Sequence, residues 1–284
     1  MVSKLSGQST RQRVLADAPL AERRLNLAGV STAVLEGGNG PPVVLLHGQG
    51  GWAGMWLRTA ADLVGRHRVV APDLPGLGAS TVPEGPPDAA RVLAWLEALL
   101  ERTCPEPPAL VGASLGASIA ARLAIAHPDR LARLVLVDAG SLARFRPAPG
   151  VMLALVRFLA RPSERTQRGF LRQMAVDPER ARAMLGADSQ AYALELARTP
   201  SVRAANRRLL RELGTRPIEP ERLAGITVPT ALVWGRQDRV MRLRIAEEAS
   251  ARYGWPLHVV EDAGHLVIER PEAFRAALAA ALQR

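Results

Sequence analysis

The middle of the chain carries a short apolar run that ends in a serine between glycines, Ala109-Leu110-Val111-Gly112-Ala113-Ser114-Leu115-Gly116. The run predicts a buried strand, and the apolar residues after it predict a helix that begins at Leu115. A serine on such a sharp strand-to-helix turn projects its hydroxyl above the sheet edge, and flanking glycines prevent backbone clashes in the turn. The pattern therefore indicates a nucleophilic Ser114, with a simple helix cap as the alternative interpretation.

The alternation of strand and helix continues on both sides of this turn. The predicted strands are 24–27, 30–35, 42–46, 68–71, 109–112, 134–137, 230–234 and 257–260, and the predicted helices are 54–65, 87–102, 115–126, 243–253 and 271–282. The first two strands form a hairpin at Ala28-Gly29. Strands separated by helices indicate parallel pairing through right-handed crossovers, so the sequence predicts an α/β fold.

The alternation stops after Asp138 and resumes at residue 230. From Ser141 to Pro217 the sequence shows helical periodicity without strand candidates, for example over 151–160, 179–185 and 202–213. We therefore predict that residues 1–140 and 218–284 form the core and that residues 141–217 form a helical cap inserted after the sixth strand.

Two further side chains complete a candidate catalytic set with Ser114. A serine hydroxyl needs a base to remove its proton, and the base needs a buried carboxylate to orient it. Asp238 and His265 each follow a predicted strand, which places them on the same sheet edge as Ser114. Asp138, at the end of the sixth strand, is a rival for the role of the acid.

The order Ser, Asp, His in these three contexts resembles the α/β-hydrolase superfamily, from Arg24 to the C-terminus apart from the helical insertion. The resemblance implies a mostly parallel eight-stranded sheet flanked by helices, with the cap after strand six. It also implies that Ser114 is the nucleophile, His265 the general base and Asp238 the acid of a catalytic triad.

The loop His47-Gly48-Gln49-Gly50-Gly51 is similar to the family's His-Gly loop. By this resemblance the backbone amides of Gln49 and Leu115 form the oxyanion hole. The loop also fits a dinucleotide-binding pattern, with Asp73 twenty residues after Ala53. We set that interpretation aside because Pro72 and the glycine-rich run after Asp73 hold the carboxylate in a turn.

The resemblance predicts an enzyme that cleaves a small-molecule ester, thioester or lactone and requires no metal or organic cofactor. A serine nucleophile argues against the dehalogenases and epoxide hydrolases of this fold, which use aspartate. Two alternatives stay open. One is a carbon-carbon bond hydrolase, although Gln49 and Leu266 stand where those enzymes typically carry Ser and Trp. The other is a non-hydrolytic ligand binder or cyclisation catalyst on the same scaffold.

The amino-acid composition limits the kinds of partner that the protein is expected to bind. The chain has 37 basic and 27 acidic side chains, a formal net charge of +10, and Cys104 is its one cysteine, so no disulfide within the chain is possible. Arginines spread along the sequence do not indicate nucleic-acid binding, and we expect a cytoplasmic protein with a small acyl substrate and no membrane partner. Nothing in the sequence indicates the oligomeric state.

The predicted cap has 15 arginines against six acidic residues. Arginines along the cleft would attract an anionic substrate, such as an acyl-coenzyme A or an acyl-carrier adduct. The alternative, which we prefer, is a solvated face on which arginine stems cover apolar helices.

Overall fold

The computed structural model describes residues 9–283, and eight strands form one sheet. The strands are β1 Ala21–Leu27, β2 Val30–Gly37, β3 Pro42–Leu46, β4 Arg68–Pro72, β5 Ala109–Ala113, β6 Arg133–Val137, β7 Thr230–Gly235 and β8 Leu257–Val260. Their order across the sheet is β1-β2-β4-β3-β5-β6-β7-β8. The two pairings of β2, with β1 and with β4, are antiparallel and the other five are parallel, so the mostly parallel eight-stranded sheet is confirmed.

Helices cover the sheet and fill the interval between β6 and β7. They are α1 Thr10–Leu15, α2 Leu57–Leu63, α3 Ala89–Thr103, α4 Leu115–Ala126, α5 Pro149–Ala160, α6 Glu164–Met174, α7 Pro178–Leu185, α8 Ala187–Arg198, α9 Pro200–Leu209, α10 Pro220–Ala224, α11 Leu243–Tyr253 and α12 Pro271–Leu282. The predicted helix 54–65 is a 3₁₀ turn, Ala53–Trp56, followed by the short α2. The predicted helix 202–213 begins at Pro200 and ends in a π turn, Leu210–Gly214.

The chain between β6 and β7 contains six α-helices, α5 to α10, and no strand; the first five, α5 to α9, lie within the predicted insertion. This agrees with an insertion after the sixth strand. The division of the chain into a core (1–140 and 218–284) and a cap (141–217) remains our proposal for its domain organisation.

The sheet is buried on both faces, which explains the uninterrupted apolar sequence of β3. Successive side chains of a strand point to opposite faces. Val44 and Leu46 pack in the larger apolar layer, which includes Trp95 of α3. Val43 and Leu45 pack in the second layer, together with residues of α2 and α12. The apolar layers hold the strand ends in place, and the loops at those ends carry the candidate site.

The N-terminal helix α1, which the sequence analysis did not predict, connects the core to the inserted helices. The buried Arg11 pairs with the fully buried Asp73 at 2.8 Å, and its guanidinium lies 4.7 Å from the centre of the Trp52 ring. On the other side of the helix, the Thr10 hydroxyl donates to Glu195 of α8 at 2.6 Å. The helix therefore fastens α8 against the loop that follows β3.

The glycine at position 112 is required by close packing rather than by its backbone angles. A methyl group there would lie 2.4 Å from the carbonyl oxygen of Gly116 and 2.5 Å from the amide of Ala117. We expect Gly112→Ala to lower the free energy of unfolding by about 1–3 kcal/mol, because these backbone atoms cannot move aside without shifting α4.

The control for this prediction is Gly169→Ala in α6, where a methyl group would meet no atom within 4 Å. This substitution should stabilise the protein by about 0.5–1 kcal/mol, because alanine favours the helix. Urea denaturation of both variants measures the difference. Equal stability of Gly112→Ala and wild type would contradict the packing argument.

Candidate active site

Ser114 stands at the turn between β5 and α4 in a conformation that few side chains adopt. Its φ is +51° and its ψ is −109°, and its amide donates to the carbonyl of Val137 at 2.8 Å. The turn is close to β3, because a methyl group on Gly116 would lie 2.4 Å from the carbonyl oxygen of Leu46. The predicted sharp turn is therefore present, and a strained backbone at such a point is typical of a functional residue.

His265 and Asp238 lie in the loops after β8 and β7 and meet Ser114 at the sheet edge. His265 Nε2 is 3.1 Å from Ser114 Oγ, and His265 Nδ1 is 2.7 Å from Asp238 Oδ2. An ionised carboxylate only accepts hydrogen bonds, so Nδ1 carries the hydrogen and Nε2 is free to accept the serine proton. The structure thus brings the three predicted residues together in the arrangement of a serine nucleophile, a base and an orienting acid.

The carboxylate of Asp238 is held by the backbone as well as by His265. Its second oxygen, Oδ1, accepts hydrogen bonds from the amides of Val240 at 2.6 Å and Met241 at 2.9 Å. Three donors therefore stabilise the negative charge of this buried side chain. They also fix its orientation, which in turn fixes the ring of His265.

Asp138, the rival acid, is buried beside this group but does not hydrogen-bond to His265. Its φ is +45°, and its Oδ1 accepts from the amide of Gly235 at 3.0 Å. Burial, and then the neighbouring charge of Asp238, raise the pKa of Asp138 well above its ordinary value. Of the two candidates, the structure places Asp238 against the imidazole.

His47 is fully buried under the loop that follows β3. Its Nε2 accepts from the amide of Leu74 at 3.0 Å, so Nδ1 carries the hydrogen and donates to the carbonyl of Gly48 at 2.8 Å. Burial lowers the pKa of His47, which favours the neutral ring that this pattern requires. His47 therefore organises the loop and is not available as a base.

Asp73 also stabilises the loop that follows β3. Its carboxylate accepts hydrogen bonds from the amides of Ala53 and Ala79, each at 2.7 Å, and pairs with Arg11. In the dinucleotide interpretation this carboxylate would bind a ribose. Here both of its oxygens are engaged by the protein, which supports a structural role.

The two predicted oxyanion-hole amides flank Ser114. Leu115 is the first residue of α4, where an amide has no intrahelical acceptor. Gln49 lies in the loop that follows β3. Its neighbour Gly48 is close to the serine, since a methyl group on Gly48 would lie 3.4 Å from Ser114 Cβ. Both residues line the cavity above the serine. Their role in binding an oxyanion stays a prediction.

Two residues that the sequence analysis did not select tie this site to the inserted helices. Glu269 is fully buried and accepts hydrogen bonds from the amide of Gly264 at 2.7 Å, next to His265, and from the amides of Val176 and Asp177. Its position four residues after His265 belongs to the segment that resembles the family, but its contacts with Val176 and Asp177 could not be predicted because these residues are more than 90 positions away.

Asn206 of α9 makes the second connection. Its side-chain carbonyl accepts from the amide of Gly50 at 3.1 Å. Its position within a helix offers no sequence signal for such a role. The loop after β3 is consequently attached to the core through Asp73 and to the inserted helices through Asn206.

A cavity of about 260 Å³ opens above Ser114 and His265. Apolar side chains of the inserted region supply much of its wall, including Phe145, Val151, Leu155, Phe158, Phe170 and Met174. The polar side chains of that region at the cavity are fewer, and they include Gln167, Arg168, Gln190 and Asn206. Such a cavity favours a ligand with a substantial apolar part.

Within residues 9–283, one group of side chains could converge on a metal ion. The three side chains in this part of the chain that could converge on a metal ion are Asp138, Asp238 and His265, and hydrogen bonds already use the ring nitrogens of His265. No helix in these residues is long and apolar enough to cross a membrane.

The chain is similar to several known proteins. The model of the alpha/beta hydrolase family matches residues 43–277. The pimeloyl-acyl-carrier protein methyl ester esterase of Aeromonas hydrophila is 31% identical over 255 residues, which cover 86% of this chain and 96% of that protein.

Hydrolases of 2-hydroxy-6-oxo-hexadienoic acids are also among the similar proteins. The 2-hydroxy-6-oxo-6-(2'-aminophenyl)hexa-2,4-dienoic acid hydrolase of Metapseudomonas resinovorans is 27% identical, over 95% of this chain and 93% of its own length. The solved structure of 2-hydroxy-6-oxo-6-phenylhexa-2,4-dienoate hydrolase from Rhodococcus superposes with a TM-score of 0.82 at 25% identity, covering 94% of this chain and all of that one.

Proposed function

The chain belongs to the alpha/beta hydrolase family, and on that premise we propose that it is a serine hydrolase of small-molecule carboxylic esters, or of related thioesters or lactones. The observation that carries the proposal is the pair of contacts that His265 makes, 3.1 Å to Ser114 and 2.7 Å to Asp238. This arrangement can activate a hydroxyl, and the similarity to an ester hydrolase supports the bond type.

In the first half of the reaction, Ser114 Oγ attacks the substrate carbonyl while His265 Nε2 takes its proton. Asp238 stabilises the imidazolium that forms and keeps its ring in place. The carbonyl oxygen becomes negatively charged, and the amides of Gln49 and Leu115 donate hydrogen bonds to it. His265 then protonates the leaving alcohol, and the acyl group stays on the serine.

In the second half, a water molecule takes the place of the alcohol. His265 removes its proton, the hydroxide attacks the acyl carbonyl, and the acid leaves as the proton returns to Ser114. The buried His265 and the apolar wall above it limit other water, which strengthens the hydrogen bonds to the oxyanion. Every proton transfer in this sequence uses side chains of the chain itself.

The carbon-carbon bond hydrolase remains the second candidate, because two of the similar proteins described above are named as hydrolases of 2-hydroxy-6-oxo-hexadienoic acids. The same serine, histidine and aspartate would serve it. Gln49 and Leu266, which line the cavity, are the positions where this chain departs from the residues typical of such enzymes. We therefore rank ester cleavage first.

A panel of nitrophenyl acyl esters of increasing chain length tests the proposal. We expect turnover with an optimum at intermediate chain length, because a cavity of about 260 Å³ admits a limited acyl group. An acyl-coenzyme A thioester and a 2-hydroxy-6-oxodienoate belong in the same panel. Cleavage of the dienoate without ester cleavage would favour the carbon-carbon hydrolase, and ligand binding without any turnover would favour the non-hydrolytic alternative.

A further inference from the structure

Asp138 and Asp238 form a pair of buried carboxyl groups at the ends of the neighbouring strands β6 and β7. Their exposed fractions are 1% and 5%. A carboxyl oxygen of each, together with a ring nitrogen of His265, lies within 4.8 Å of the others. Two negative charges this close in a buried site repel each other and lose their hydration, so ionising one group raises the free energy of ionising the other.

The hydrogen-bond donors around the pair decide which group keeps the charge. Asp238 accepts from two backbone amides and from His265, whereas Asp138 accepts from the amide of Gly235 alone. The second oxygen of Asp138 is buried, and no donor reaches it from any residue between 9 and 283. A carboxyl oxygen in that position is satisfied when it carries a proton and donates a hydrogen bond itself.

We propose that Asp138 is a protonated carboxylic acid in the native enzyme and donates a hydrogen bond to Asp238, which positions Asp238 against His265. Asp138 is thus a positioning residue that acts through Asp238. The inference rests on the proposed function, in which Asp238 orients the catalytic base.

The surroundings of the pair agree with this assignment. The charged or titratable groups that face Asp138 are Asp238 from the loop after β7 and His265 from the loop after β8. Within residues 9–283 no arginine or lysine forms an ion pair with either carboxyl group. Burial and the charge of Asp238 raise the pKa of Asp138, in the direction that the donor count requires.

The backbone conformation of Asp138 also restricts where its side chain can lie. Asp138 has a φ of +45° directly after β6, and its amide donates to the carbonyl of Val233 in β7 at 3.1 Å. Aspartate tolerates this conformation better than most residues. Asp138 is therefore held against β7 twice, by its backbone amide at Val233 and by its side-chain Oδ1 at Gly235.

The protonation state can be measured directly, without substrate, on protein labelled with ¹³C at the aspartate side-chain carboxyl. Glutamate side chains such as that of Glu269 carry no label and therefore give no signal. We expect one protonated aspartate signal near pH 7. It should vanish in Asp138→Asn and persist in the control Asp73→Asn, because Asp73 is paired with Arg11.

Absence of a protonated aspartate in the wild type, or its persistence in Asp138→Asn, would overturn the inference. If Asp138→Asn does not fold, Asp138→Ser replaces it with the same expectation. The wild-type spectrum alone still decides whether such a proton exists. Because this measurement needs no turnover, it stays interpretable even if the proposed ester hydrolysis is wrong.

Enzyme kinetics can show whether Asp138 acts as a hydrogen-bond donor or only fills space. Asparagine can accept from Gly235 and donate to Asp238 as the protonated acid does, so we expect Asp138→Asn to keep kcat within about threefold. Asp138→Ala removes the donor and should lower kcat about tenfold at unchanged KM, the effect of one lost hydrogen bond to a charged group. Equal loss in both variants would contradict the donor role.

Stability against pH gives a third measurement. The native state keeps a proton that the unfolded chain releases above about pH 3.9, so the contribution of Asp138 to wild-type stability falls as pH rises from there through its raised pKa. Asp138→Asn lacks this proton. The difference in Tm between the variant and the wild type should therefore shift in favour of the variant as pH rises above about 4, and a pH-independent difference would count against the proposal.

Discussion

Ser114→Ala is expected to lower kcat for ester hydrolysis by several orders of magnitude, up to about a million-fold. The hydroxyl is the group that becomes acylated, and His265 Nε2, 3.1 Å away, has no other side chain to deprotonate at this point of the site. The residual rate would come from the oxyanion hole and from substrate binding. Steady-state kinetics with the preferred ester, together with loss of labelling by a serine-reactive phosphonate, measure the effect.

Ser118→Ala is the matched control, because this serine lies one turn further along α4 and is fully buried. Its hydroxyl donates to the carbonyl of Ser114 at 3.3 Å and does not line the cavity. Activity close to wild type is expected for it. If Ser114→Ala retained more than about a tenth of the wild-type activity, the acyl-enzyme mechanism would be wrong.

Asp238→Asn should lower kcat by about 10⁴-fold while the fold is kept. The amide is almost the same size as the carboxylate, but its NH₂ group cannot accept the hydrogen of His265 Nδ1, and its oxygen carries no charge to stabilise the imidazolium. His265 would then favour the tautomer that has its hydrogen on Nε2, and Ser114 would lose its acceptor. The measurement is kcat and KM over a range of pH.

The same substitution at Asp177 provides the comparison, since Asp177 caps α7 through the amide of Arg180 at 3.0 Å and lies outside the catalytic group. Asp177→Asn should have nearly wild-type activity. A loss at Asp238 of less than about tenfold would favour Asp138 as the acid, or a mechanism without an orienting carboxylate.

Much of the core follows from local sequence. The apolar runs at β3, β5 and β7 predict strands buried on both faces, because four or five consecutive apolar residues with β-branched side chains are typical of strands covered on both sides. The positions of Ser114, Asp238 and His265 directly after such strands predict a shared sheet edge. The structure has these strands, and the three side chains meet at that edge.

The inserted region was less predictable. Helices α6 and α8 were not predicted individually, because α6 has polar or charged residues at most of its positions and α8 has a short apolar stripe. Their stability comes from packing against neighbouring helices and from caps such as Ser163, whose hydroxyl accepts from the amide of Thr166. Contacts of this kind join segments whose spacing in the sequence carries no signal.

The sequence by itself determined the fold class and the identity of the three candidate catalytic residues, since both depend on periodicity and on the ends of strands. By the family resemblance the sequence favoured Asp238 as the acid, but in periodicity and in position after adjacent strands Asp138 and Asp238 look equivalent. Only the tertiary structure separates them. Asp238 receives three hydrogen bonds and contacts His265, whereas Asp138 receives one, and in a buried site the group with more donors keeps the charge.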